Sequence, residues 1–143
     1  MKAEHPIRLA TEADVPSIAR IVNSWVDRTD WMPRGEPAEV LEGFIASALP
    51  EREIFLIGEP VEGYMSLNPA TGQIGALYLD RPGNGLGKAL MDHAKSGRDY
   101  LQLWTHEPNT AAHRFYVREG FTVVERKAEG SDGLPELRME WHR

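Results

Sequence analysis

Along the chain, the spacing of apolar residues switches back and forth between a strand period and a helical one. A short extended run, "IRLA" from Ile7, comes first. Thr11 follows as an N-cap, with Asp14 three residues on as a variant of the capping box. Val15, Ile18, Val22 and Trp25 then recur at helical spacing and predict a helix that buries one face. "DRTDWMPRGEP" (27–37) is a loop by its Pro, Gly and Asp content. A second helix is predicted over 38–49 and ended by Pro50, with Val40, Leu41, Phe44, Ile45 and Leu49 as its buried stripe. Three strand-like runs follow, "EIFLIG", "VEGYMSLN" and "QIGALYLD", whose short turn-rich joints predict an antiparallel meander. Leu86, Leu90 and Ala94 mark one face of a third helix, and "YLQLWTH" is a strand with Leu101 and Leu103 on one side. "NTAAHRFYVREG" is a fourth helix, capped by Asn109 and stopped by Gly120. Two strands, "FTVVER" and "ELRMEWH", close the chain around a polar loop. The predicted order is β-α-α-β-β-β-α-β-α-β-β, an α/β (α+β) arrangement.

Composition narrows the chemistry. The 143 residues suit one compact domain spanning 1–143, and a 41% apolar content supplies a core. No apolar run approaches the roughly 20 residues that span a bilayer, and the first residues lack a signal-like apolar middle. The expectation is therefore a cytoplasmic protein with no membrane partner. The absence of cysteine removes disulfides, thiolate metal sites and a thiol nucleophile. A net charge of −6 with no Lys/Arg cluster along the sequence argues against nucleic acid as a partner. The five histidines form no metal-ligand spacing, so no metal is expected; His93 and His113 are read as exposed helix positions.

"RPGNGLGKALMDHAK" (81–95) sets three glycines at alternate positions before a helix. It is not a Walker loop, because position 82 is proline and Ala89 follows Lys88. It is not a dinucleotide fingerprint either, because Lys88 stands where a third glycine is needed. The physical logic remains. A helix start has unpaired N–H groups and a positive dipole end, and glycines let an anion approach them. Gly83, Asn84, Gly85, Leu86, Gly87 and Lys88 offer successive amides to a pyrophosphate. A flexible turn with close helix packing is the alternative.

The stretch "NTAAHRFYVREGF" has the order N-x-x-A-x-x-F-Y-x-x-x-G-F. Paired with "ALYLDRPGNGLGKAL", it resembles the GNAT (GCN5-related) N-acetyltransferase superfamily, over nearly the whole chain. The resemblance implies a mixed, mostly antiparallel central sheet with helices on both faces. Two central strands splay apart in such proteins, and acyl-CoA occupies the gap. It implies that Leu77, Tyr78 and Leu79 pair with the pantetheine arm and that the amides of 83–88 hold the pyrophosphate. One departure is visible: the usual Q/R position of the loop holds Pro82, and Arg81 sits one residue early.

Acetyl-CoA as co-substrate implies transfer to a primary amine of a small molecule or peptide, by direct attack since no cysteine is present. Tyr116, the tyrosine of the F-Y pair, is the expected acid at the sulfur. Asn109 resembles the family asparagine near the pantetheine and is also the helix cap. His106 and Glu107, after the strand that flanks the acyl group, are the candidate bases. Trp31, Met32 and Arg34 form the candidate acceptor pocket, because large apolar groups in a polar loop need something to pack on or bind. A non-catalytic acyl-CoA sensor is the alternative reading. The last two strands offer an edge through which a homodimer could form.

Overall fold

The computed structural model describes residues 6–33, 37–81, 83–130 and 133–143. Its elements follow the predicted order: β1 (Ile7–Leu9), α1 (Val15–Asp27), α2 (Ala38–Ala48), β2 (Glu53–Ile57), β3 (Gly63–Asn68), β4 (Gln73–Leu79), α3 (Leu86–Lys95), β5 (Tyr100–His106), α4 (Thr110–Arg118), β6 (Thr122–Lys127) and β7 (Glu136–His142). A short 3-10 turn, Glu12–Asp14, leads into α1. There the Asp14 carboxylate accepts from the Thr11 amide at 2.8 Å, as the capping pattern requires, and binds Arg8 at 2.8 Å. No helix among the described residues is long and apolar enough to cross a membrane.

The strands form one seven-stranded sheet in the order β1-β2-β3-β4-β5-β7-β6. Every neighbouring pair is antiparallel except β4 and β5, which run parallel. That one parallel pair is registered only at Gln73 with Gln102 and Ile74 with Leu103. The cause lies on the other side of β4. Ser66 faces Ala76 while Leu67 faces Ile74, so Gly75 is an extra, bulged residue. A bulge bends its strand, and past Gly75 the outer edge of β4 leaves β5.

Two cores sit on opposite faces. The larger joins α3 and α4 to the sheet through Leu86, Leu90, Met91, Tyr116, Phe121, Leu101, Leu103, Met139 and Trp141. The second joins α1 and α2 to β2–β4 through Val15, Ile18, Ile21, Ile45, Ile54, Leu56 and Tyr64, with Ala76 and Tyr78 at its border. The α1 face differs in part from the expected one: Ala19 and Ile21 are buried, while Val22 and Trp25 are half-buried. The α2 stripe needs a larger correction. Ile45 is buried with Leu41 and Leu49 packed beside it, but Val40 is 40% and Phe44 59% exposed. The helix packs on α1 at the margin of the layer, where one narrow face suffices. His113 is half-buried rather than exposed, its Nε2 lying 3.0 Å from the His106 carbonyl.

On β5 and β7, Tyr100 donates to Glu140 at 2.8 Å and Arg138 does so at 2.7 Å. These two bonds, the Tyr100 hydroxyl first, hold the Glu140 carboxyl down to about 2. A lowered folded value means stability that is present above the unfolded carboxyl range, near 4.3, and lost as pH falls toward 2. Glu140→Gln is expected to flatten that acid loss in a series of melting curves from pH 6 to pH 2.

Candidate active site

The three loop glycines are present for two different reasons. Gly83 and Gly85 have φ of 89° and 81°, the left-handed region that side chains avoid. Gly85 is the N-cap of α3, and Ala89 is the first residue whose amide closes an intrahelical bond, to the Gly85 carbonyl at 3.1 Å. The amides before it point out of the helix start. Gly87 is needed for closeness instead. A Cβ there would lie 3.3 Å from Leu79 and 3.5 Å from Phe115, so it is the bare backbone of α3 that lets β4 and α4 draw in.

A cleft of about 720 Å³ opens along the splayed edge of β4. Its floor is Leu77, Tyr78 and Leu79; its end wall is Gly83, Gly85, Gly87 and Lys88. The far side is α4, where Ala111, Arg114, Phe115 and Arg118 form one helical stripe beside Asn109 and Tyr116. Arg28, at the end of α1, closes the top and donates to the Leu79 carbonyl at 3.2 Å. Among the described residues the lining thus holds four cationic side chains, Arg28, Lys88, Arg114 and Arg118, and no carboxylate. In a chain of net charge −6 this is a local reversal. The sequence shows no Lys/Arg run because the cations converge from three elements. The Lys88 ammonium also lies 3.3 Å from Asp92 and 3.6 Å from Glu119.

Tyr116 is 8% exposed, with its ring against Phe115 and Phe121. Burial, and then the neighbouring Tyr78, push its phenol well above the usual tyrosine range. It is therefore a neutral donor at physiological pH, able to give a proton and unsuited to act as a base. Asn109 caps α4, its Oδ1 accepting from the Ala112 amide at 3.2 Å. Leu86 contributes only backbone to the loop, since its side chain is fully buried in the larger core. Asn84 is exposed on the turn.

Trp31, Met32 and His106 gather next to the cleft rather than in its lining. Tyr78 stacks on Tyr64 and meets Trp25 edge-on at 5.2 Å. Trp25 meets Trp31 at 5.7 Å, and Trp31 lies 5.4 Å from the His106 ring. This string of rings carries the loop after α1 across to the end of β5. Met32 is half-buried beside it, its amide bonded to the Thr29 carbonyl at 3.1 Å. Arg34 and Pro82 lie outside the described residues. Arg81 is exposed and is not among the lining residues. Glu107 turns away from the cleft to a two-bond pair with Arg126 at 2.7 and 3.0 Å, which holds its carboxyl below the usual range. Sequence reasoning passed over Arg28, Arg114, Arg118 and Trp25. The i, i+4 spacing of the two α4 arginines on the stripe of Phe115 was the available signal.

The profile of the Acetyltransferase (GNAT) family matches residues 24–121. Over 137 residues the chain is 33% identical to the peptidyl-lysine N-acetyltransferase YjaB of Salmonella typhimurium, covering 90% of this chain and 91% of that protein. The solution structure of apo YjaB from Escherichia coli superposes with a TM-score of 0.79 at 27% identity, covering 97% of this chain and 98% of that one. YncA from Salmonella typhimurium, solved with acetyl-CoA, shares the fold with a TM-score of 0.70 at 22% identity, covering 98% and 94%.

Proposed function

The chain belongs to the Acetyltransferase (GNAT) family, and on that footing we propose that it moves the acetyl group of acetyl-CoA onto a lysine amine of a peptide or protein. The observation that carries the reading is the cleft. A strand edge splayed from its neighbour runs into a left-handed glycine turn and a helix start, among four cations and, among the described residues, no carboxylate. That lining suits a long ligand with amides at one end and phosphates at the other. The Leu77–Leu79 edge, splayed from β5, takes the pantetheine amides, and Asn109 borders the same stretch. The amides of Gly83, Asn84, Gly85, Leu86, Gly87 and Lys88 take the pyrophosphate, and Arg114 and Arg118 neutralise the remaining phosphate charge.

Acetyl-CoA supplies the thioester carbonyl that the acceptor amine attacks. The N–C bond forms first, the C–S bond of the tetrahedral intermediate then breaks, and Tyr116 gives its phenolic proton to the departing sulfur. A backbone N–H of the 77–79 edge stabilises the oxyanion. Of the two candidate bases, Glu107 is committed to Arg126, and His106 takes the amine proton. Trp31 and Met32 border the acceptor side. Retention of a buried, neutral Tyr116 in the cleft wall favours catalysis over a sensor role.

A peptide acceptor is supported by the activity named for the YjaB relative and by the layering of the sheet. The α1–α2 core stops at β4, so the same face of β5 and β7 carries half-buried Trp104, Arg138 and Glu140 beside His106. The test is thiol release and mass spectrometry with acetyl-CoA and an N-acetylated, single-lysine peptide, with free amino acids as controls. We expect one acetyl group on the lysine. Acetylation of free amino acids alone would overturn the peptide reading.

A further inference from the structure

We propose that Glu136 is a positioning residue for the reaction: its carboxylate stabilises the imidazolium formed when His106 takes the proton of the acceptor ammonium. The inference rests on the acetyl-transfer reading above. His106 and Glu136 are direct cross-strand partners on β5 and β7. The His106 Nε2 lies 3.8 Å from the Glu136 carboxylate, with the side chains only 19% and 16% exposed. The carboxylate therefore lies where it can face a positive charge on the ring.

The register also places the pair at the reaction. From the Ile74–Leu103 pair, three residues along β5 reach His106, and the same count along β4 reaches Leu77, next to Tyr78. His106 therefore stands across the open gap from the strand edge that floors the cleft. Its backbone is pinned, since its carbonyl accepts from the Asn109 amide and from His113 Nε2, each at 3.0 Å. Trp31 covers the ring from the loop after α1.

Other charged groups nearby have different engagements. On β6, Arg126 binds Glu107, while Lys127, opposite Glu136 in register, sets its ammonium 4.3 Å over the Trp104 ring. From α4, His113 contacts the His106 backbone. Glu136 is the carboxylate that these contacts set against the imidazole itself.

The proton balance is simple. The ammonium N–H bond breaks, Nε2 gains that proton, and the neutral amine attacks the thioester carbonyl; the second N–H proton leaves as the amide forms and replaces the one Tyr116 gives to the sulfur. His106 later returns the proton to solvent. A lysine amine near its ordinary value of about 10.4 is almost wholly protonated at neutral pH, so a base matters most there and least in alkaline solution.

The experiment compares wild type, His106→Gln, Glu136→Gln and the double variant, using the single-lysine peptide as probe. At pH 7 we expect Glu136→Gln to lower kcat about 10-fold, with the KM for acetyl-CoA unchanged. The double variant should be no slower than His106→Gln, and the Glu136→Gln deficit should shrink toward pH 9.5. Additive losses in the double variant, or a deficit independent of pH, would overturn the proposal. If wild type binds acetyl-CoA and leaves the peptide unmodified, the peptide reading fails separately. The imidazole 15N resonances then decide the pair: we expect those of His106 to move in Glu136→Gln and those of His113 to stay. Unmoved His106 resonances would overturn it.

Discussion

Tyr116→Phe is expected to lower kcat by about 100-fold, the usual scale for loss of a positioned acid, while acetyl-CoA affinity stays within about twofold. The ring is held by Phe115 and Phe121 in the larger core, and phenylalanine fills the same space. Only the hydroxyl is lost, so the fold should be unaffected. Burial raises the phenol above the usual range, with Tyr78 adding to the effect, so the proton stays on oxygen through the alkaline range in which free tyrosine ionises. A raised folded value also gives stability that is intact below about pH 10, the unfolded tyrosine range, and is lost as pH rises beyond it. Tyr64, raised by its own burial, contributes with the same sign. Single-turnover kinetics with calorimetric binding separates the two effects. A Tyr116→Phe enzyme with unchanged kcat would remove the phenol from the chemistry.

Gly87→Val should weaken acetyl-CoA binding by at least about 100-fold, through shape rather than charge. The new Cβ would stand 3.3 Å from Leu79 and 3.5 Å from Phe115, and the valine methyls would reach further still. Relief displaces the Leu79 and Phe115 side chains, both of which line the cleft, or pushes α3 away from them. Overpacking of this kind costs about 1–3 kcal/mol of stability, so a lower melting temperature should accompany the loss. Gly83→Ala makes the control. Its Cβ would meet open space, so it tests the positive φ alone and should have a much smaller effect. Equal losses in both variants would show that turn conformation, not packing against Leu79, makes the site.

The order of elements was legible because apolar spacing changes period at each boundary, and caps such as Asn109 mark where. The ends of the glycine turn were legible too, since three bare residues before a helix have few uses. The α2 stripe was misread at Val40 and Phe44 because periodicity gives the direction of a face and not how much of it a neighbouring layer covers. The splay of β4 from β5 turns on Gly75, one glycine inside a strand pattern and the standard hint of a bulge. The cationic lining was invisible along the chain because Arg28, Lys88 and Arg114 come from three helices. Glu107 looked as suitable as His106 until β6 supplied Arg126, and the Glu136 partnership depends on a strand register that no local pattern encodes.

The most direct test of the account is calorimetric titration of the folded protein with acetyl-CoA, with ATP and NAD as controls. The account predicts one site of micromolar affinity for acetyl-CoA, with ATP and NAD far weaker because neither carries the pantetheine amides that the 77–79 edge receives. Binding weakened equally for all three by added salt would reduce the cleft to a general anion trap. No acetyl-CoA binding by the folded protein would contradict the acetyltransferase assignment itself.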